Sequence, residues 1–426
     1  MTKDNLKYGA YIQILEEELV PAMGCTEPIA LAYCAAKARE VLGAMPEKVV
    51  IGASGSIIKN VKSVIVPNTN HMKGIPAAAV AGIVGGDASK ELEVIAQVSP
   101  EDIAAMRTFL ETTPITVEHV DNGLTFEIVV TLYRGEEYAK VRIVNYHTNI
   151  VLIEKNGEVL MEVKVEGEGE SGLTDRSILN IADILDFAES VDVEDIREVL
   201  GRQIRYNTAI AQEGLRGDYG SNIGSVLLET YGDSSVMVRA KAMAAAGSDA
   251  RMNGCELPVI INSGSGNQGM TTSLPVIEYA KELNVSEDKL YRALAVANLV
   301  TIHQKTSIGR LSAFCGAVSA GAGAGAGIAY LLGGNLDGIS HTGANALATT
   351  GGIVCDGAKA SCASKIATAV EAGILGYNMH VRNQDFQADD GLVGETPEET
   401  IANIGRLGKQ GMKYTNEEIM KIMVGE

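Results

Sequence analysis

The sequence predicts an α+β protein in two parts. Residues 1–170 form an α+β domain with helices and an antiparallel sheet. Residues 171–426 form a mainly helical domain with Gly/Ala-rich buried helices. Three observations carry this. From about 114 to 166, apolar and polar residues alternate in five short runs (ITVEHV, LTFEIVVTLYR, YAKVRIVNYH, NIVLIEKNG, EVLMEVKVE), which is the period of half-buried strands. Beyond a Glu/Gly-rich link at 167–175, the spacing turns helical almost to the end. Trp is absent, Phe numbers 5 and Gly 47 of 426 residues. The core is therefore made of Ala, Val, Ile, Leu and Met, and such small side chains suit closely packed helices.

Taken in order, residues 4–43 read as two helices broken at Pro21. Pro28 sits in the first turn of the second helix and Gly43 at its C-cap. Residues 48–66 hold a strand (KVVIGAS) and then a Gly/Ser turn, and 75–97 read as helical with an interruption at Gly85-Gly86. Asn122-Gly123 and Asn156-Gly157 mark hairpin turns between strands. The second part carries helical segments at 176–203, 205–215, 222–246, 269–283, 287–303, 308–332, 338–349, 358–373 and 397–407. Residues 311–336 contain no charge over 26 positions, long enough for a membrane span. Gly, Ala and Ser dominate them, however, and contribute little to insertion, so a buried helix is the better reading.

Charge and composition exclude several functions. Lys plus Arg is 35 and Asp plus Glu is 54, a net charge of −19. Such a surface repels nucleic acid and anionic membranes. The N-terminus is charged and amphipathic, without an export signal, so the expected location is cytoplasmic and the six cysteines are expected to be thiols or metal ligands.

Three of those cysteines, Cys315, Cys355 and Cys362, lie in glycine-rich surroundings (FCGAVSAGAG and GGIVCDGAKASCASK). The C-x6-C spacing fits neither a zinc knuckle nor a ferredoxin run. Small buried thiols are one reading. A three-thiolate metal centre with an open position is the other, favoured by Asp356 and Lys359 between the cysteines. Cys25, in MGCTEPIA, stands just before a helix, where the dipole favours a thiolate fit to serve as base or nucleophile. The same stretch also reads as a plain N-cap, with Thr26 capping and Glu27 complementing the dipole. NSGSGNQG (262–269) follows a strand-like PVII and opens a helix. It lacks a P-loop lysine and fits a backbone nest for a carboxylate, with Ser263, Ser265, Asn267 and Gln268 as donors; an ordinary glycine turn is the alternative. His147 and Thr148 (NYHTNI) and Lys59 (GSIIKN) are further polar groups. His303 and Lys305 precede Cys315 and are expected in the same cavity. Cys34 and Cys255 read as structural, and His71, His119, His341 and His380 show no partner pattern.

Together GCTEP, HTN, SGSGNQG, LSAFCG and GGIVCDGAKASC resemble the L-cysteine desulfidase family, related to the α chain of iron–sulfur L-serine dehydratases, over essentially the whole chain. The resemblance implies that Cys315, Cys355 and Cys362 hold a [4Fe–4S] cluster with one iron lacking a protein thiolate, and that Cys25 is the proton acceptor. It implies a lyase without pyridoxal phosphate that eliminates sulfide from L-cysteine to give pyruvate, ammonia and hydrogen sulfide. Substrate contacts are expected from Ser263, Gly264, Ser265, Gly266 and Asn267, with Lys59, His147 and Thr148 beside them. Competing expectations are an L-serine dehydratase or a lyase of another β-substituted amino acid, and a metal-binding or redox-sensing protein without catalysis. The partner is a small amino acid, and the small-residue helices suit a homodimer.

Overall fold

The computed structural model describes residues 1–165 and 173–424. Most of the Glu/Gly-rich link, and with it the division at 170/171, lies outside the described residues.

The chain begins with α1 (Leu6–Glu18), the short strand β1 (Pro21–Met23) and α2 (Thr26–Leu42), which ends on Gly43 at φ 79°, the expected left-handed cap. β2 (Lys48–Ala53) and α3 (Gly55–Val61) follow, so the expected Gly/Ser turn is a helix. Then come α4 (Gly74–Gly85), which stops at the Gly-Gly pair, and α5 (Pro100–Thr112). The remaining strands of this part are β3 (Ile115–His119), β4 (Glu127–Arg134), β5 (Glu137–Val144), β6 (Ile150–Lys155) and β7 (Glu158–Glu162).

The sheet order is β3-β2-β4-β5-β6-β7. Every neighbouring pair is antiparallel except β2 and β3, which run parallel. The Asn156-Gly157 hairpin forms, with both residues at positive φ (52° and 85°). The one expected at Asn122-Gly123 does not, because β2 is inserted between β3 and β4. Cross-strand partners cannot be read from local alternation. α2 covers the sheet, and Ala139, Val141 and Ile143 alternate inward from β5. Cys34 is in this core, as expected, donating to the Val141 carbonyl at 3.4 Å.

The helical part comprises α6 (Ile181–Ser190), α7 (Val193–Arg216), α8 (Ile223–Tyr231), α9 (Val236–Met252), the short strand β8 (Pro258–Ile260), α10 (Gly266–Glu282), α11 (Glu287–Ile308), α12 (Gly316–Leu331), α13 (Leu336–Thr350), α14 (Cys362–His380), α15 (Pro397–Arg406) and α16 (Lys413–Val424). α12 lies among α10, α11, α13 and α14. Its glycines explain how. Gly321 and Gly325, four apart, face α14 at Ala369 and Gly373, while Gly323 and Gly327 face α11 at Thr301 and Ala293. No helix among the described residues is long and apolar enough to cross a membrane. A Cβ at Gly321 would overlap the Ala369 carbonyl. Gly321→Val is therefore expected to lower the melting temperature by several degrees, an overpacking cost of about 1–3 kcal/mol. Gly352→Ala, with no atom within 4 Å of the new methyl, serves as the control that melts like the parent.

β1 and β8 pair antiparallel, Pro21 opposite Ile260. This two-stranded ribbon joins the N-terminal segment to the helical part, and one contiguous core includes residues of both.

Candidate active site

The ribbon sets the start of α2 beside the glycine loop before α10. Cys25 is the N-cap of α2 in extended conformation, and its side chain caps nothing. Its thiol instead donates to Glu27 Oε2 at 3.1 Å. Asn60 Nδ2, from α3, donates to Glu27 Oε1 at 3.0 Å. The Thr26 hydroxyl has one proton, and the nearer acceptor is the Gly264 carbonyl at 2.8 Å. All four side chains are buried.

Burial works against the Glu27 charge, but His147 beside it, the Cys25 thiol, its own backbone N–H and Arg251 hold its carboxyl below the usual carboxylate range. The same burial, and then the Glu27 carboxylate, push the Cys25 thiol well up. The helix dipole is thus outweighed, and the proton rests on sulfur rather than leaving the thiolate expected from the sequence.

Ser263 (φ 49°) and Gly264 (φ 80°) are the central residues of a two-residue turn closed by reciprocal 3.1 Å hydrogen bonds between Asn262 and Ser265. Gly264 is required twice, by its φ and because a Cβ would press on His147 and Arg310. His147 packs edge-on to Phe126, with ring centroids 4.8 Å apart. Burial pushes it down to about 4, so the imidazole is neutral at neutral pH, and its Nε2 has no partner among the described residues. Thr148 is half-buried in the same turn, and among the described residues no hydrogen bond ties its side chain to the group.

Arg251, from the end of α9, is the residue the sequence reading missed. It is 2% exposed, and its Nη1 donates to Asn267 Oδ1 at 3.2 Å. Among the described residues its Nε and Nη2 have no partner, nor do Gln268 Oε1 and Asn60 Oδ1. Buried polar groups are rarely left so. Several orphans around one loop mark a place for a polar ligand.

The cysteine loops approach from the other side. Phe314 and Val354 form a β-bridge flanked by Cys315 N–H to Ile353 O at 3.1 Å and Cys355 N–H to Ala313 O at 2.6 Å. The expected helix at 308–332 accordingly starts only at Gly316, with Cys315 as its N-cap. Cys362 opens α14. It shares a small apolar cluster with Cys25, Val64, Met252 and Ala358, and Gln268 lies against Gly316. The N-termini of α2, α10, α12 and α14 therefore converge, four positive dipole ends around one space.

Burial, and then the neighbouring Cys355 and Cys362, push Cys315 up to about 12, so a cation binding these thiols displaces protons. Lysines surround them. Lys305 is buried, which pushes it down to about 8 against the pull of Cys355 and Cys315. Lys59 donates to the Cys355 carbonyl at 3.2 Å and to Asn416 Oδ1 at 2.6 Å, so it braces the cysteine loop. His303 turns away to Glu398, 2.7 Å. A cavity of about 620 Å³ reaches this region from outside, touching Ser263, Lys305 and Arg310.

Residues 89–421 match the family model described as serine dehydratase alpha chain. A UPF0597 protein of Desulfitobacterium hafniense is 59% identical over 426 residues, 100% of this chain and 99% of the relative. One from Lachnoclostridium phytofermentans is 54% identical over 417 residues, 98% of this chain and 100% of the relative. One from Treponema denticola is 46% identical, covering 100% of both. The chain belongs to the serine dehydratase alpha chain family, a family of lyase-type enzymes.

Proposed function

We propose that this protein is an iron–sulfur-dependent lyase that converts L-cysteine to pyruvate, ammonia and hydrogen sulfide. The observation that carries the reading is the meeting of the Cys25–Glu27 pair and three further thiols at four converging helix N-termini.

The donor set fits a cluster better than a single ion. Among the described residues, the one group of three His, Cys, Asp or Glu ligand atoms all within 4.8 Å of one another is Asp337, His341 and His380. The three cysteine sulfurs are thus spread more widely than the roughly 3.8 Å separation around one zinc ion. Cys315, Cys355 and Cys362 would hold a [4Fe–4S] cluster, which when bound would supply Lewis acidity toward the departing sulfur.

The protein's own residues do the rest. Arg251 offers its unpaired Nε and Nη2 as a fork for the substrate carboxylate. The first N–H groups of α10 favour the same negative charge, which grows as the Cα proton leaves. Cys25 takes that proton while passing its own to Glu27 across the 3.1 Å hydrogen bond. The Cα–H electron pair forms the Cα–Cβ double bond, and the Cβ–S bond breaks. Lys305, protonated at neutral pH, stands beside Cys355 and Cys315 to give the leaving sulfide a proton. The released aminoacrylate takes up water and yields pyruvate and ammonia.

The test is an anaerobic assay of the reconstituted protein with L-cysteine, following sulfide and pyruvate together. Equal amounts are expected, falling to background in Cys355→Ala. The family description favours a second reading, dehydration of L-serine by the same residues. Pyruvate formed faster from L-serine than from L-cysteine would establish that reading instead.

A further inference from the structure

We propose that Asp337, His341 and His380 form a second metal site, for a divalent transition ion such as zinc, at the end of the α13–α14 pair remote from the cysteines. One ligand atom from each residue lies within 4.8 Å of the other two. Asp337 and His341 are one turn apart on α13, so both side chains leave the same face. His380 is the last residue of α14 and brings the third. The two imidazoles stack with centroids 5.6 Å apart and planes inclined by 18°.

The site is supported from behind. His380 Nδ1 pairs with Asp385 Oδ2 at 3.0 Å, and Asp385 Oδ1 accepts from Asn345 Nδ2 at 2.8 Å. Asn345 is 2% exposed and accepts the Phe386 N–H at 3.1 Å. A carboxylate behind a histidine fixes its tautomer and aims the other nitrogen outward, an arrangement common behind metal-bound histidines. That nitrogen, Nε2, faces Asp337 Oδ2 at 3.9 Å, beyond hydrogen-bond length. Ligands about 2.1 Å from an ion lie roughly 3.4 Å apart in a tetrahedron, so a small rotation of the exposed Asp337 side chain closes the set. Two histidines, a carboxylate and an open position suit zinc or cobalt rather than calcium or magnesium.

The site is separate from the cysteines. His380 lies eighteen residue steps along α14 from Cys362, about 27 Å. Its role follows from connectivity. α13 and α14 are joined by residues 351–361, which carry Cys355, and an ion at their free ends clamps the pair that presents that loop.

The experiment is a titration of the full-length protein with cobalt(II), by calorimetry and visible absorbance under anaerobic conditions. One equivalent is expected to bind with no thiolate-to-cobalt band, equally in wild type and Cys355→Ala, and at least tenfold more weakly in His341→Ala and His380→Ala. Zinc is expected to raise the melting temperature by a few degrees in wild type and not in His341→Gln, which removes a surface ligand without touching the core. Binding that is absent, that disappears in Cys355→Ala, or that persists unchanged in both histidine variants overturns the proposal.

Discussion

A Cys25→Ala protein is expected to fold, to retain its iron and to release sulfide from L-cysteine at about a thousandth of the parent rate. The thiol is small and buried among Val64, Met252, Ala358 and Cys362, and a methyl group occupies most of its volume. What disappears is the proton acceptor, and positioned acid–base groups contribute about 10²- to 10⁴-fold. Glu27→Gln probes the relay. The amide keeps the shape but takes no proton from sulfur, so kcat is expected to fall about a hundredfold with KM little changed. Full activity in Glu27→Gln would rule out the relay while leaving Cys25 as the base. Iron content by colorimetric assay separates either loss from damage to the cluster.

Arg251→Met is expected to raise KM for L-cysteine about a hundredfold and to leave the melting temperature unchanged or higher. The two signs come from one cause. A guanidinium at 2% exposure with two unpaired nitrogens costs the unliganded protein the desolvation of those donors, on the order of 1–3 kcal/mol or more. Methionine fills similar space without that cost. The same unpaired donors are what a substrate carboxylate gains, and losing a buried charge pair costs about 2–5 kcal/mol of binding. A fall in melting temperature with KM unchanged would make Arg251 a structural residue instead.

Arg251 also shows where sequence reading stops. A lone arginine in RMNGC has the look of a surface charge at a helix end, because arginine is rarely fully buried. Only the fold reveals it beneath the loop at 263–266. Glu27 was visible, but as a dipole partner, since its bond to Cys25 depends on local backbone geometry. The cysteine loops and NSGSGNQG were legible because unusual residue types cluster at short range. β1, three residues long, is too short for any period, and although PVII reads as the strand β8, its pairing with β1 lies beyond local pattern. α5 escaped for the opposite reason. Ser99, Pro100 and Asp102 form a capping box with a proline at its first turn, yet this helix buries only Met106 and Phe109, so the apolar stripe is faint. The parallel placement of β3 against β2 is a long-range choice that alternation does not encode.

The pairing of Pro21 with Ile260 has a consequence for how the protein is made. A ribosome extends a chain by about 5–20 residues per second, so β1 waits on the order of ten to fifty seconds for its partner strand. Cys25 waits longer still for Cys362. During that interval the N-terminal sheet can fold locally, but the space between the four helix ends does not exist. Any ligand that needs that space can therefore enter only the nearly finished polypeptide, and a truncated translation product has no enclosed site to offer it.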